Sequence, residues 1–557
     1  MKRITADDLE NILHGLDKSS YKQYRALEKY TWHREKVTYK FLKIQGDPFA
    51  PPSILEAKGV LPRDNLEECK GAETALADKL SRILVDESSR TRYIKMGEGN
   101  SGRVLFYKPG PVMIPRASTR VIYSRDGTRY RILIRLGLPS RRRRILADEA
   151  ARLLLEKVPA IIENGTKRIL RSEKETLEWC RLYRDQELIR GMLEEKGLVS
   201  FIADGSILPR RCGGCSEPLE DAVPFESPPS LRVEIETEYH GTITGMGIRR
   251  GLTVIAGPAF HGKTTLLEAI RSGVWNHIPG DGRELVVTGR DAVYVKSENG
   301  RRVSCVDLRN WLRGLPGGRS IDCFTTSDAS GATSAAASIE EYVSMGSRLI
   351  LVDEDEIATN LLHRDKWTED YTGKKTLVTL TEMAGSMKEN GISLVVVASG
   401  TLPLLAAADT IIVMDEYRPR DASKYREEAK RLVEVAGLYS MEEYRRPRPR
   451  SYRLVRRPRK WKVTGLLYQD RERNLARLDA FSYLEDPGQL YSAVKLAYSI
   501  LDSRPRRLSS RDAEERVIRV LDRSGDPDLV YVRGFEVLGA AERLPGFESR
   551  NRVSRSQ

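Results

Sequence analysis

Glutamine is almost missing from this chain: six residues among 557, with none between Gln186 and Gln469. Amides are chemically labile and charged networks lose less at high temperature, so a chain poor in glutamine and rich in arginine suits a thermophile. Cysteine is sparse too, and the six residues (Cys69, Cys180, Cys212, Cys215, Cys305 and Cys323) are scattered with no secretory segment ahead of them. That argues against a disulfide framework and for a reducing compartment. Cys212-Gly213-Gly214-Cys215 has the spacing of half a zinc site. No second Cys or His pair follows at finger or ribbon spacing, so a turn holding two thiols is expected there. No apolar run nears the ~20 residues a membrane span needs. Asp7, Asp8 and Glu10 stand where a signal peptide would be basic. The expectation is a soluble, cytoplasmic protein with no membrane partner.

What is abundant is charge. Charged residues make up 31% of the chain and the formal net charge is +14. Such an excess fits a polyanionic partner, though a merely soluble basic protein fits it as well. A length of 557 residues implies several domains, and we divide it at composition changes into residues 1–200, 201–440 and 441–557. The first opens on a helical pattern (Leu9, Ile12, Leu13, Leu16) and an extended segment from Val37 to Ile44, closed by the proline-dense turn Gln45 to Pro52. Arg82–Val85, Arg103–Tyr107 and Tyr130–Leu136 read as strands, and Gly97–Gly102 reads as a hairpin turn or a loose GxGxxG. Arg141-Arg142-Arg143-Arg144 precedes a helical stretch, Ile145–Lys157, as a solvated face or a phosphate grip. A second helical region runs from Lys174 to Lys196.

From Phe201 to Arg420, apolar strands alternate with helical stretches, which indicates an α/β unit with a largely parallel sheet. At its centre, Gly257-Pro258-Ala259-Phe260-His261-Gly262-Lys263-Thr264-Thr265 satisfies the GxxxxGK[ST] pattern between an apolar strand, Leu252–Ala256, and a helical stretch. Backbone N–H groups and a helix N-terminus there surround an anion. Lys263 reaches the terminal phosphates of ATP, and the Thr264 hydroxyl is a ligand for Mg²⁺. His261 reads as a hydrogen-bonding or packing residue, and Tyr239 as a core residue or an adenine stack. Downstream, Leu349–Val352 ends in Asp353-Glu354: Asp353 serves Mg²⁺ and Glu354 polarises the attacking water.

Past residue 440 the chain turns strongly basic. Between Met441 and Lys462 ten Arg or Lys face only Glu442 and Glu443. Arg445, Arg446, Arg448 and Arg450, in a proline-broken loop, with Arg459, Lys460 and Trp461, are the candidates for nucleic acid, with Tyr444 and Tyr452 interleaved. A mainly helical region follows, Leu490–Leu501 and Ala513–Leu521.

Asp328-Ala329-Ser330-Gly331-Ala332-Thr333-Ser334, ahead of the Asp-Glu strand, resembles the Ser-Gly signature of ABC-class ATPases. Residues 45–52, Phe201–Arg210, Asn276–Glu284 and Asp415–Asp421 sharpen the resemblance to soluble ATPases of the ABC class that carry their own N- and C-terminal domains. The likeness covers nearly the whole chain. It implies an α/β fold with a central ABC-type P-loop domain, flanked by an α+β N-terminal and a mainly helical C-terminal domain. It also implies a head-to-tail, ATP-dependent homodimer in which Ser330 and Gly331 cap the γ-phosphate held by the other subunit, and a role with RNA as suggested for some relatives. The chain departs from an ordinary cassette twice. No glutamine lies between Lys263 and Ser330, so Asp307 or Glu298 stands in as a possible Mg²⁺ contact. Ser399 sits where a histidine is usual, which points to slow turnover. Beside the leading reading, an Mg-dependent ATPase controlling a polyanion, stand two others. One is a DNA-handling ATPase of repair or condensation, although no long heptads interrupt the domain. The other is a non-hydrolytic ATP-gated clamp.

Overall fold

The computed structural model describes residues 2–61, 66–91, 97–124, 127–318, 320–364, 375–436 and 441–550. Its fold is α/β, and its contacts divide it into two compact units rather than three. The first is residues 1–184 with Asp486–Gly488 and Ile518–Tyr531; the second holds the remainder. The stretch 441–557 is therefore divided between the units.

The first unit is built on a mostly antiparallel sheet in the order Lys2–Ile4, Tyr30–Arg34, Val37–Lys43, Ser53–Leu61, Gly127–Leu136, Val104–Leu105, with Thr119–Ser124 also pairing Gly127–Leu136. Leu76, Leu80, Ile83 and Leu84 recur at helical spacing and are buried, so Arg82–Val85, expected as a strand, lies inside the helix Glu73–Arg90. The expected Arg103–Tyr107 strand shrinks to Val104–Leu105. The four-arginine run forms the tip of a small hairpin, with Arg142 and Arg143 at positive φ and Arg143 paired to Asp47 at 2.8 Å. The helix expected from Ile145 begins at Ala147, passes through a π-helical turn at Arg152–Lys157 and continues as Val158–Arg171.

In the second unit a six-stranded sheet runs Ala292–Val295, Leu349–Asp353, Ser393–Val397, Leu252–Ala256, Thr410–Asp415, Arg418–Asp421. Every pairing is parallel except the last. The first four strands are buried throughout, which suits their near-continuous Val, Ile and Leu and their coverage on both faces. Beside them lies an antiparallel sheet, Arg232–Glu236, Thr242–Arg249, Leu198–Ala203, Val286–Thr288. The C-terminal residues of this unit add the helices Gln489–Ile500 and Gly534–Arg543 and two three-stranded sheets.

All six cysteines are paired, against the expectation of free thiols: Cys69–Cys180, Cys212–Cys215 and Cys305–Cys323, with Cα separations of 5.2, 5.0 and 4.0 Å. Folding brings together residues up to 111 positions apart, within the reach a disulfide requires. Intracellular proteins of hyperthermophiles are rich in such bonds, so the pairing does not of itself demand an oxidising compartment.

Candidate nucleotide site

The phosphate loop follows a central strand, as its spacing requires. Gly257 has φ +132° and a Cβ there would strike the Met414 carbonyl oxygen; Gly262, at φ +94°, caps the helix Lys263–Ser272. Glycine is needed at both positions, one for close approach and one for the left-handed turn. The loop opens the helix so that its first N–H groups face the enclosed space. Lys263 Nζ donates to the carbonyls of Gly257 and Pro258, each at 2.8 Å. Phe260 is 94% exposed. His261 behaves as the hydrogen-bonding residue expected: its Nδ1 accepts from the Glu416 N–H at 2.9 Å and lies 3.6 Å from Asp415.

Thr264 and Asp353 meet. The Thr264 hydroxyl donates to Asp353 Oδ2 at 2.9 Å, although 89 positions separate them. Burial pushes the Asp353 carboxyl up from its ordinary value, and the Thr264 and Asp355 hydrogen bonds act the other way. Two hard oxygen donors beside a phosphate cradle are the donor set that Mg²⁺ prefers.

Glu354 is held on one oxygen. Its Oε2 accepts both the Ser399 N–H at 2.6 Å and the Ser399 hydroxyl at 2.9 Å. Ser399 lies beyond the strand Ser393–Val397, with its donors directed at Glu354. On the other side, His363 Nε2 lies 3.6 Å from Glu354 Oε1. The sequence reading missed His363. It is the one histidine between Asp353 and Ser399, and only the fold brings it to Glu354.

Ser330 caps the buried helix Gly331–Met345, accepting from the Thr333 N–H. Ser297 ties that start to the segment after Glu354: its hydroxyl donates to the Gly331 carbonyl at 3.1 Å and accepts from the Ala358 N–H at 2.8 Å. Ser330 itself is exposed. Thr265, the last loop residue, faces an apolar pocket of about 230 Å³ walled by Leu208, Leu219, Val223, Phe225, Met414 and Tyr417, with Gly262 at its edge. Two stretches that carried the family resemblance build that wall. The Ile207 N–H donates to Gly282 O, Arg283 Nε to Leu208 O, and Arg210 pairs with Asp281 at 2.9 Å. Burial would raise Asp281, but His277 at 2.6 Å and Arg210 outweigh it and hold the carboxyl at about 2. Tyr239 does not line this pocket; its N–H, with its neighbours', binds the Asp185 carboxylate.

Three expectations are corrected. Asp307 follows the strand Val303–Val306 and is bonded to Arg309 at 2.9 and 2.5 Å, so its carboxylate already has a cationic partner. Glu298 is buried against Arg543 at 2.8 Å. Arg450 is buried as well, paired with Glu542 at 3.0 Å and donating to the Ser304 and Cys305 carbonyls; Tyr444 and Tyr452 are each 1% exposed. Arg445, Arg446, Arg448, Arg459 and Lys460 remain exposed, while Trp461 is half-buried with ring centroids 5.5 to 6.3 Å from Tyr468, Tyr491 and Tyr498. Cys212 and Cys215 are bonded to each other and so offer no thiolates to zinc.

Two family models match the chain: a P-loop domain of ABC ATPases over residues 172–448, and the N-terminal domain of ATPases of the ABC class over residues 6–168. An uncharacterised protein of Methanocaldococcus jannaschii is 32% identical over 267 residues, 46% of this chain and 59% of that relative's own length. Among solved structures, cbiO1 from Clostridium perfringens, part of the ABC transporter complex cbiONQ, is 14% identical over 43% of this chain and 95% of its own, at a TM-score of 0.26. The ADP conformation of an ATP-binding cassette of an ABC transporter is 14% identical over 37% of this chain and 95% of its own, at 0.23. Scores so low carry no argument. No described helix is long and apolar enough to cross a membrane.

Proposed function

Because this chain belongs to the ATPases of the ABC class, we propose that it hydrolyses ATP with Mg²⁺ in a head-to-tail homodimer in the cytoplasm, and that the cycle governs its hold on a polyanion, RNA first among them. The observation that carries the reading is the contact of Thr264 with Asp353 at 2.9 Å, one residue before a carboxylate fixed by two donors.

In that reading Lys263 turns from the Gly257 and Pro258 carbonyls to the β- and γ-phosphates, and the loop N–H groups complete the cradle. The purine lies in the apolar pocket beside Thr265, packed on Phe225 and Tyr417. Thr264 and Asp353 would hold Mg²⁺, which would supply charge neutralisation at the phosphate oxygens. Glu354 accepts a hydrogen bond from the attacking water and takes up its proton as the water oxygen bonds to the γ-phosphorus and the bond to the β,γ-bridging oxygen breaks, releasing ADP and phosphate. Ser399 keeps the Glu354 carboxylate in place, with one of its oxygens turned toward His363. The exposed Ser330 and the start of its helix reach the γ-phosphate of the facing subunit.

A single-turnover assay with radiolabelled ATP, run beside sedimentation with and without ATP, tests this. Hydrolysis of bound ATP together with an ATP-dependent dimer supports it. A dimer that holds intact ATP indefinitely would make the protein a clamp instead, a reading favoured by the absence of a glutamine loop.

A further inference from the structure

A second cavity of the second unit, about 550 Å³, is distinct from the pocket beside Thr265. It opens at the other end of the parallel sheet. Gly251, Asp291, Arg348 and Ser393 line it, and these residues immediately precede or begin four of the five parallel strands. Gly257 and Asp353 stand at the carboxyl ends of the same layer. Strands of about five residues at ~3.3 Å per residue separate the two ends by ~15 Å.

The lining is cationic. Arg190, Arg250, Arg290, Arg348, Lys388 and Arg446 face Glu187, Glu194 and Asp291, six cations against three carboxylates. The carboxylates are shared. Glu187 Oε1 serves Arg190 and Arg290, each at 2.6 Å, and Glu194 Oε1 serves Arg250 at 3.2 Å and Arg348 at 3.8 Å. Two guanidiniums on one carboxylate leave one positive charge over, and Arg250, Arg348 and Lys388 are all more than half exposed. Lys388 is paired with Asp409, whose carboxylate lies over the lining residue Gly251. Leu198 and Leu349, which also border it, are buried. Arg446 continues from this rim into the exposed Arg445 and Arg448.

We infer that this groove, at the amino ends of the parallel strands and remote from ATP, is the track for a single-stranded nucleic acid, with Arg250, Arg348, Lys388 and Arg446 gripping phosphodiesters. A chain entering the groove leaves along the arginine loop. The inference rests on the polyanion part of the proposed function and is independent of the hydrolysis chemistry. Guanidiniums on phosphates hold position without reading bases, so the track binds many sequences.

The test uses the full chain with Arg250→Gln, Arg348→Gln and Lys388→Gln together. A control variant carries Arg34→Gln, Lys36→Gln and Lys167→Gln, three exposed cations of the first unit. Fluorescein-labelled oligo-U and oligo-dT of equal length are titrated by anisotropy from low to moderate salt, and thermal midpoints are recorded for all three proteins. Loss of three phosphate contacts flattens the slope of log affinity against log salt by roughly 0.7 per contact, about 2 in all, for a single strand. That change in the groove variant, with the control keeping the parent slope and both keeping the parent midpoint, supports the track; oligo-U and oligo-dT then show whether the 2′-hydroxyl matters. Parent binding that survives in the groove variant with an unchanged slope overturns the track and leaves the polyanion reading standing. No binding of either oligonucleotide by the parent overturns both. Should the groove variant melt early, charge reversal at Arg348 alone, Arg348→Glu, replaces it, with at least a tenfold loss of affinity expected and parent affinity refuting.

Discussion

Replacing Glu354 by Gln separates the geometry of the site from its charge. Ser399 gives two hydrogen bonds to Oε2, at 2.6 and 2.9 Å. A glutamine keeps an acceptor oxygen there, so the side chain stays in place and ATP binding, which rests on Lys263 and the loop, should change less than threefold. What disappears is the base. General-base catalysis contributes about 10²–10⁴ in rate, or ~3–5 kcal/mol at 1.36 kcal/mol per tenfold. Ser399→Ala makes the complementary change: the carboxylate remains with its stronger, backbone donor, and one hydrogen bond to a charged group is lost. At about 1.5–3 kcal/mol for such a bond, only part of it expressed in orientation, the loss should be near tenfold. Single-turnover rates at saturating ATP measure both. A Glu354→Gln rate within fivefold of the parent would refute the role of the Asp-Glu pair. A Ser399→Ala loss equal to that of Glu354→Gln would show that Ser399 itself touches the reacting atoms.

Arg450→Met should cost ~3–5 kcal/mol of unfolding free energy by stranding Glu542 in the interior, and should leave the salt slope of nucleic-acid binding at the parent value; chemical denaturation and anisotropy check the two halves. Burial pushes the Glu340 carboxyl up to about 8, with Asn310 and Trp311 hydrogen bonds opposing it. A carboxyl raised in the folded state favours folding most at low pH and loses that advantage as pH climbs, here between about 4.5 and 8. Glu340→Gln should therefore flatten the fall of the thermal midpoint across that window, and an identical pH profile would count against the assignment. The Cys69–Cys180 bond closes 111 residues, so Cys69→Ala with Cys180→Ala should lower stability by ~4–5 kcal/mol on the chain-entropy account; a midpoint unmoved by the substitutions or by reductant would contradict it.

The nucleotide site was legible because its signals are local. Loop, strand and helix are consecutive from Leu252 to Ile270, and Asp353-Glu354 ends an unbroken apolar run. What stayed hidden depends on partners far along the chain. Arg450 looks like a solvated charge in a proline-broken loop, yet its partner Glu542 lies 92 positions on. Cys69–Cys180 and Cys305–Cys323 join residues that carry no spacing pattern, and the Cys212–Cys215 spacing suits a metal site as well as a bond. Arg82–Val85 was read through too short a window: Ile83 and Leu84 suit a strand until Leu76 and Leu80 supply the helical period. Tyr239, read as a core residue or an adenine stack, lies outside the apolar pocket that Leu208, Phe225 and Tyr417 form from three separate parts of the chain. The Asn276–Glu284 stretch has no mechanism in sequence; in the structure its Asp281 and Arg283 clamp the loop after Leu198–Ala203 that carries Leu208 and Arg210.

The charges beneath the signature helix bear on how two subunits would communicate. Arg301, Arg450 and Arg543 stand with Glu298, Glu341 and Glu542, three against three and none more than 3% exposed. Arg301 pairs with Glu341 at 3.0 Å, Arg450 with Glu542 at 3.0 Å and Arg543 Nε with Glu298 at 2.8 Å; the Ser338 hydroxyl accepts from Arg301 at 3.1 Å and from Arg543 at 3.2 Å. Buried pairs of this kind commonly add little net stability, because desolvation offsets the attraction. What they do fix is register, since a rotation of the Gly331–Met345 helix by one residue would strand Glu341 and Ser338 together. The C-terminal helix Gly534–Arg543 is therefore a splint that sets the direction in which Ser330 faces outward. Replacing Arg543 and Glu298 together by Met removes a neutral pair without leaving a lone charge, so unfolding free energy should shift by less than about 2 kcal/mol. ATP-dependent dimerisation should weaken by tenfold or more in sedimentation, because Ser330 is no longer held to one orientation. Parent-like dimerisation in that double variant would show the network to be structural filler, with no part in presenting the signature.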